Sequence, residues 1–214
     1  MGIKREDLLL YAVTDRAWVG RQTLEEQLED ALRGGVTLVQ LREKHLPEQE
    51  FLREALLVKT LCHRYGVPLL INDNVEVALR SGADGVHVGL EDAPVAELRR
   101  RVGPDFIIGA TAKTVEQACL AEEAGADYLG VGAVFPSPTK QNARRITKED
   151  LREICGRVSI PAVAIGGIDG TNLPSLSGCG MAGFALVSAI FGAEDVQAAA
   201  RTLRELAQAA VAHA

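Results

Sequence analysis

The sequence predicts an α/β protein, a single (β/α)8 TIM barrel that spans residues 1–214 as one domain. Short apolar strands alternate with helical segments in eight successive units, and no Pro/Ser/Gly-rich linker or low-complexity tract divides them. A helix that ends in glycine and turns directly into a strand recurs at residues 34–37, 81–84, 124–127 and 179–182. The alternative, an open doubly wound sheet, would leave eight strands unclosed and lacks an early G-x-G-x-x-G turn.

The predicted strands are short apolar runs bounded by glycine, proline or polar residues. They lie at residues 8–13, 37–41, 67–71, 85–88, 106–110, 128–134, 161–165 and 184–187. Runs of this length are consistent with buried strands, because helices need more residues to form.

Capping patterns mark the starts of several predicted helices. Thr23 and Glu26 have the spacing of a capping box, and so do Thr114 and Gln117. The segment 146–149 opens the sixth helix. These positions predict helices that follow the first, fifth and sixth strands.

Proline and glycine delimit other helices. Pro47 and Pro94 are favoured first-turn residues and open the second and fourth helices. The first helix ends at residues 34–35 and the second near Gly66. Two short helices are predicted at residues 75–81 and 171–176, and a last one at 195–212. Its apolar stripe is Val196, Ala199, Leu203 and Leu206.

Composition narrows the class of protein. Apolar residues make up 47% of the 214 residues and charged residues 24%, which is typical of a folded globular protein. The net charge of −6 argues against non-specific nucleic-acid binding through a basic surface. The chain shows neither a signal-peptide pattern nor a stretch apolar enough to span a membrane, so we expect a cytoplasmic protein. Its four scattered cysteines predict reduced thiols.

Polar side chains follow the second strand at alternate positions. Because side chains alternate along an extended segment, Gln40, Arg42 and Lys44 share one side. An amide that reads a heterocycle, followed by two cations, suits a ligand with a base at one end and phosphates at the other. The alternative interpretation is a charged strand end exposed to solvent.

Two carboxylates follow the third and fourth strands, which are neighbours in a barrel. Asp73 comes after Asn72, and Asp92 after Glu91. Mg²⁺ prefers one or two carboxylates together with phosphate oxygens and water, so Asp73 and Asp92 predict a magnesium site. The alternative for Asp92 is a cap of the helix that Pro94 opens.

The later strands are followed by candidate anion sites. Ser137, Thr139 and Lys140 lie in a long connection that could close over phosphates, although it could also be a solvated loop. Gly166, Gly167 and Ser188 follow strands seven and eight, where barrels commonly bind phosphate. A tight turn that requires glycine is the alternative. His87 is more typical of a core or mouth histidine than of a catalytic base.

In combination, these motifs resemble the thiamine phosphate synthase family over about residues 9–191. The matching segments are residues 11–16, 39–44, 71–73, 85–89, 130–135, 139–140, 164–168 and 187–190. The resemblance implies a β-α barrel enzyme that joins 4-amino-2-methyl-5-hydroxymethylpyrimidine diphosphate to 4-methyl-5-(2-hydroxyethyl)thiazole phosphate. The products would be thiamine phosphate and pyrophosphate.

The resemblance also implies roles for individual residues. The pyrimidine diphosphate would contact Gln40, Arg42, Lys44 and Asn72, and Thr111 matches a hydroxyl that the family carries after strand five. Mg²⁺ would be held by Asp73 and Asp92, and Arg42, Lys44 and Lys140 would act on the departing pyrophosphate. Val187 and Ser188 match a pair on the thiazole phosphate side. Ser137, Thr139 and Lys140 match the family's Thr-x-Thr-Lys loop, and Gly166 and Gly167 match its glycine after strand seven. Thr111 and Ser137 replace the family's usual hydroxyl residues with another hydroxyl. The segment Gln141-Asn142-Ala143 departs from the usual continuation after the lysine, which affects the expected lid more than the reaction.

Two other functions compete with this interpretation. A thiazole tautomerase-like isomerase shares the fold, but its relatives lose the diphosphate-binding residues and carry a histidine on the sixth strand, which this sequence lacks. A non-catalytic phosphate-binding sensor would not need the metal pair. The expected partners are the two small-molecule substrates, with a homo-oligomer possible and no nucleic acid or membrane.

Overall fold

Eight parallel strands close into a barrel in the structure, a computed structural model that describes residues 2–20, 22–136 and 145–212. The strands are β1 Leu10–Val13, β2 Leu38–Leu41, β3 Leu69–Asn72, β4 Gly85–Val88, β5 Ile107–Ala112, β6 Tyr128–Gly132, β7 Ala162–Ile165 and β8 Gly183–Leu186. Each pairs with the next along the chain, and β8 pairs with β1 to close the ring. The predicted TIM barrel is therefore confirmed.

Helices connect the strands on the outside of the barrel. They are α1 Leu24–Arg33, α2 Glu48–Arg64, α3 Val75–Ser81, α4 Val95–Val102, α5 Val115–Glu123, α6 Lys148–Arg157, α7 Ser188–Phe191 and α8 Val196–Val211. Short 3-10 turns cover Arg5–Leu8, Arg16–Trp18 and Leu173–Leu176. Among the described residues, no helix is both long and apolar enough to cross a membrane.

Several predicted boundaries were wrong by a few residues. The segment predicted as a helix at 171–176 is a single 3-10 turn in which Pro174, without an N–H, stands in the first turn. The first strand begins at Leu10 because Leu8 belongs to a preceding 3-10 turn. The sixth strand ends at Gly132, and the four-residue helix α7 was not predicted because it is too short to show a periodic pattern.

One of the two predicted capping boxes forms completely. Thr23 Oγ1 accepts a hydrogen bond from Glu26 N–H at 3.2 Å, and the Glu26 carboxylate accepts from Thr23 N–H at 2.8 Å. At the fifth helix, Thr114 accepts from Gln117 N–H, but the Gln117 side chain accepts from Lys113 N–H instead of from Thr114. Only half of the second predicted box is therefore present.

The core has two layers because side chains alternate along each strand. The larger cluster fills the space between the outward strand faces and the helices. The smaller cluster fills the barrel interior and includes Tyr11, Leu38, Leu70 and Tyr128. In α8 the buried stripe runs through Val196, Ala200, Leu203 and Ala207, whereas the predicted Ala199 and Leu206 are only partly buried.

The absence of a side chain at Gly109 lets two aromatic rings meet inside the barrel. The strand register places Gly109 beside His87 on one neighbour and beside Tyr128 on the other. A Cβ atom at Gly109 would collide with the Tyr128 ring. With glycine there, the rings of His87 and Tyr128 approach to a centroid separation of 5.6 Å.

Replacing Thr23 by alanine tests the cap of α1. The substitution removes the acceptor for Glu26 N–H, so we expect the free energy of unfolding to fall by about 1 kcal/mol. Urea denaturation measures this change, and Thr202→Ala, an exposed position within α8, is the matched control. Equal stabilities of the two variants would contradict the role of the cap.

Candidate active site

A cavity of about 460 Å³ opens at the carboxyl ends of the strands. Sequence-predicted residues that line it are Gln40, Arg42, Lys44, Asn72, Asp73, Asp92, Thr111, Gly166, Gly167, Val187 and Ser188. Ser137, Thr139 and Lys140 lie outside the described residues. Barrel closure thus brings together residues that are up to 148 positions apart in the chain, between Gln40 and Ser188.

The predicted alternation after β2 is present. Gln40 is buried, and Arg42 is anchored by its backbone N–H to Thr14 Oγ1 at 2.9 Å. The Arg42 guanidinium donates to Asp15 Oδ2 at 2.8 Å. Glu43 faces the other way and accepts from Arg16 Nε at 2.8 Å. The cavity therefore receives the amide and the cations, while the carboxylate of this segment lies outside it.

A second cation is held by one of the predicted metal ligands. Lys44 Nζ donates to Asp73 Oδ2 at 2.5 Å. Asp73 has a φ of 61°, a left-handed conformation that aspartate tolerates better than most residues, and its N–H donates to the His87 carbonyl at 2.9 Å. This backbone turn points the Asp73 carboxylate into the cavity instead of along the barrel wall.

Asp73 and Asp92 meet as a pair of carboxyl groups. Burial opposes the ionisation of Asp73, but hydrogen bonding to Lys44 and Asp92 outweighs it and lowers the pKa of Asp73. Burial and the adjacent Asp73 raise the pKa of Asp92, whose Oδ2 accepts from Gly89 N–H at 2.7 Å. Two adjacent carboxyl groups resist being ionised at the same time unless a cation lies beside them.

This donor set fits a hard divalent cation. In the described part of the chain, no group of three or more His, Cys, Asp or Glu side chains could hold a metal ion. Mg²⁺ does not require such a group, because it binds one or two carboxylates and completes its shell with phosphate oxygens and water. Asp73 and Asp92 supply that pair.

A buried chain of hydrogen bonds crosses the floor of the cavity. Gln40 Nε2 donates to the Tyr11 hydroxyl, which lies 2.8 Å from the Tyr128 hydroxyl. Tyr128 Oη lies 2.8 Å from His87 Nδ1, and His87 Nε2 lies 3.1 Å from Thr111 Oγ1. Burial raises the pKa of both tyrosine hydroxyls far above its ordinary value, so both stay protonated.

The turn after β7 forms the opposite wall. Gly166 and Gly167 have positive φ values of 98° and 65°, and a Cβ at Gly167 would collide with the Pro136 carbonyl. Asn172 Nδ2 donates to the Gly167 carbonyl at 2.8 Å and fixes the turn. Helix α7 begins directly after β8, with Ser188 as its first residue at the cavity.

Comparison with known proteins agrees with this geometry. The model of a family described as thiamine monophosphate synthase matches residues 10–190. A thiamine-phosphate synthase of Ruminiclostridium cellulolyticum is 47% identical over 200 residues, covering 94% of this chain and 95% of that protein. One from Caldanaerobacter subterraneus is 45% identical and covers 97% of each. The chain belongs to the thiamine monophosphate synthase family.

The solved structures agree with this family membership. A thiamine phosphate pyrophosphorylase from Pyrococcus furiosus superimposes with a TM-score of 0.89 at 40% sequence identity, covering 97% of this chain and 98% of that one. A 3-hexulose-6-phosphate synthase reaches a TM-score of 0.66 at 15% identity, a likeness of fold alone. Like its thiamine-phosphate synthase relatives, this family member is a transferase of thiamine biosynthesis.

The structure places in the cavity several residues that the sequence did not predict as site residues. Tyr11 and Tyr128 read as ordinary strand residues, since nothing in their local sequence shows that they meet across the barrel. Lys113 lines the cavity two positions beyond Thr111, directly after the end of β5. The same strand-end rule that selected Lys44 could have identified it. His87, predicted as a core or mouth histidine, lines the cavity and is 8% exposed.

A cluster behind the cavity supports the Arg42 segment. Arg16 binds Glu43 at 2.8 Å and Glu54 at 2.6 Å. Glu43 Oε1 and Glu54 Oε2 are buried, and neither oxygen accepts a hydrogen bond from the described residues. A single proton shared between the two carboxyl groups would satisfy both oxygens. Burial first, and then the Glu43 carboxylate, raise the pKa of Glu54 from 4.5 to about 7, against the opposing effect of Arg16.

This raised pKa predicts how stability depends on pH. A carboxyl with a higher pKa in the folded state stabilises the protein fully below the unfolded value of 4.5, and that contribution is lost as the pH rises through about 7. Relative to wild type, Glu54→Gln should therefore show a flatter free energy of unfolding between these values. Urea denaturation across this range measures it, with the exposed Glu149→Gln as control. Parallel pH profiles for wild type and Glu54→Gln would contradict the prediction.

Proposed function

We propose that residues 1–214 form one catalytic domain that joins the pyrimidine diphosphate and the thiazole phosphate, with release of pyrophosphate. The observation that carries this proposal is one cavity lined by the amides of Gln40 and Asn72, the cations Arg42 and Lys44, and the carboxylate pair Asp73 and Asp92. This set of groups suits a ligand with a heterocycle at one end and a diphosphate at the other. The substrates are small molecules. A cytoplasmic location and homo-oligomer formation stay predictions.

Gln40 and Asn72 would bind the pyrimidine ring. Asn72 Nδ2 is buried without a hydrogen bond of good geometry in the described part of the chain, and its interaction with the Asp73 carboxylate helps lower the pKa of Asp73. A ring nitrogen of the pyrimidine would give this donor a well-placed acceptor.

Arg42, Lys44 and Thr111 would contact the diphosphate, with Lys140 from the segment outside the described residues. Arg42 is already oriented by Asp15, so it loses little freedom when a phosphate binds. Lys44 is half-exposed and can turn from Asp73 towards a phosphate oxygen. Gly166, Gly167, Val187 and Ser188 would receive the thiazole phosphate, with Ser137 and Thr139 completing this side.

Asp73 and Asp92 would hold Mg²⁺. The bound ion would neutralise charge on the diphosphate as it leaves. The protein needs no nucleophile for this reaction, because the thiazole nitrogen attacks the pyrimidine methylene after the carbon–oxygen bond to pyrophosphate has broken. Arg42, Lys44 and Lys140 stabilise the negative charge that develops on the leaving group.

The decisive experiment mixes the purified protein with both substrates and Mg²⁺, with and without EDTA. Thiochrome fluorescence measures the thiamine phosphate formed. We expect product that depends on both substrates and disappears with EDTA. A folded protein that makes no product would refute the proposal, and product that persists in EDTA would refute the role of Mg²⁺.

Replacing Lys44 by alanine tests the charge-stabilising role. Loss of one preorganised group that stabilises the leaving charge should lower kcat by about 10²–10³-fold. Lys4→Ala is the matched control, because Lys4 lies before β1 at the opposite end of the barrel and its side chain is 63% exposed. Equal turnover of the two variants would exclude this role for Lys44.

Magnesium affinity should depend on pH through Asp92. The pKa of Asp92 is raised, so Asp92 takes up a proton before Asp73 does as the pH falls, and Mg²⁺ must then compete with that proton. We expect calorimetry to show weaker Mg²⁺ binding at lower pH. Asp92→Asn should bind Mg²⁺ at least ~10-fold more weakly, with a flatter pH dependence. Unchanged affinity in this variant would place the ion elsewhere.

A further inference from the structure

The hydrogen-bond chain on the cavity floor joins two residues that line the cavity at separate places. Gln40 stands at the end of β2 and Thr111 on β5. Tyr11, Tyr128 and His87 lie between them, and both tyrosine side chains are fully buried. Every link joins side chains, so the direction in which each group donates is coupled to the next.

The available donors and acceptors allow the hydrogen bonds of this series to run in one direction. Gln40 Nε2 can only donate, so Tyr11 Oη accepts from it. Tyr11 keeps its proton and, among the described residues, Tyr128 is the remaining polar partner of its hydroxyl, so Tyr11 donates to Tyr128. Tyr128 also keeps its proton and donates to His87 Nδ1. A neutral His87 then carries its proton on Nε2 and donates it to Thr111 Oγ1.

We propose that Tyr11, Tyr128 and His87 are positioning residues that set the polarity of both ends of the substrate site. At one end, the Gln40 amide nitrogen is used by Tyr11, which leaves its carbonyl oxygen as an acceptor for the exocyclic amine of the pyrimidine. At the other end, Thr111 accepts from His87, which leaves its own hydroxyl proton to donate to a diphosphate oxygen. The identity of the ligand in this inference rests on the proposed function. The direction of the hydrogen bonds is a property of the free protein.

The opposite polarity would suit this ligand poorly. If the Gln40 amide were rotated by 180°, each bond in the chain would reverse and Thr111 would donate to His87. Thr111 would then present only lone pairs to an anion, and Gln40 would present N–H groups to an amine. The buried chain thus couples recognition of the base to recognition of the diphosphate without direct contact between Gln40 and Thr111.

The tautomer of His87 in the free protein is the first test. Long-range ¹H–¹⁵N NMR distinguishes the two neutral tautomers, and comparison with His87→Gln identifies the signal among the four histidines. We expect the Nε2–H tautomer to predominate near neutral pH and to lose that predominance in Tyr128→Phe. Predominance of the Nδ1–H tautomer or of imidazolium would overturn the proposal, as would a tautomer unaffected in Tyr128→Phe. This result does not depend on whether the protein makes thiamine phosphate.

The second test measures discrimination between bases. Calorimetry gives the Kd of the 4-amino pyrimidine diphosphate and of its 4-oxo analogue for wild type and for Tyr11→Phe. Without the Tyr11 oxygen, the Gln40 amide can rotate, so we expect the preference for the amino compound to narrow by about tenfold, equivalent to ~1.4 kcal/mol.

Structural damage would instead weaken both ligands equally and leave their ratio unchanged, an outcome that would overturn the proposal. Tyr65→Phe is the matched control because Tyr65 lies on the surface and donates to Glu29. That variant should keep the wild-type ratio. Failure of wild type to bind either diphosphate would refute the proposed function, while the NMR result would still decide the polarity.

Discussion

Closure of the parallel sheet is the constraint on which the rest of the structure depends. Every strand must hydrogen-bond to two neighbours, and the β8–β1 pairing completes the ring. All eight carboxyl ends consequently face the same side, so residues from distant parts of the chain line one cavity. The interior that remains is narrow. Polar groups can lie there only if they bind one another, which explains why the side chains on the cavity floor form a continuous chain.

The cations that line the cavity are balanced by carboxylates of the protein itself. Asp73 holds Lys44, and Asp15 holds Arg42, so the largely buried guanidinium has a charged partner. Asp73 and Asp92 form an adjacent carboxyl pair whose pKa values shift in opposite directions, and that pattern is typical of functional sites.

Small residues make the polar floor possible. Gly109 lies between His87 and Tyr128 on adjacent strands, and any larger residue would separate their rings. Substitution there would cut the chain of hydrogen bonds between Gln40 and Thr111 without touching a substrate. The packing of the barrel and the chemistry of its mouth are therefore linked through a position that itself carries no functional group.

The sequence by itself determined the alternation of strands and helices, the caps at Thr23 and Thr114, and the cavity residues that follow strands directly. These features depend on local periodicity and on strand ends, which a linear pattern records. Only the tertiary structure decided the short helix α7, the exact strand ends, and the meeting of Tyr11 with Tyr128 over a separation of 117 residues. It also decided the support of Arg42 by Asp15. Contacts of this kind arise from barrel closure, because no spacing along the chain encodes which side chains meet across its interior.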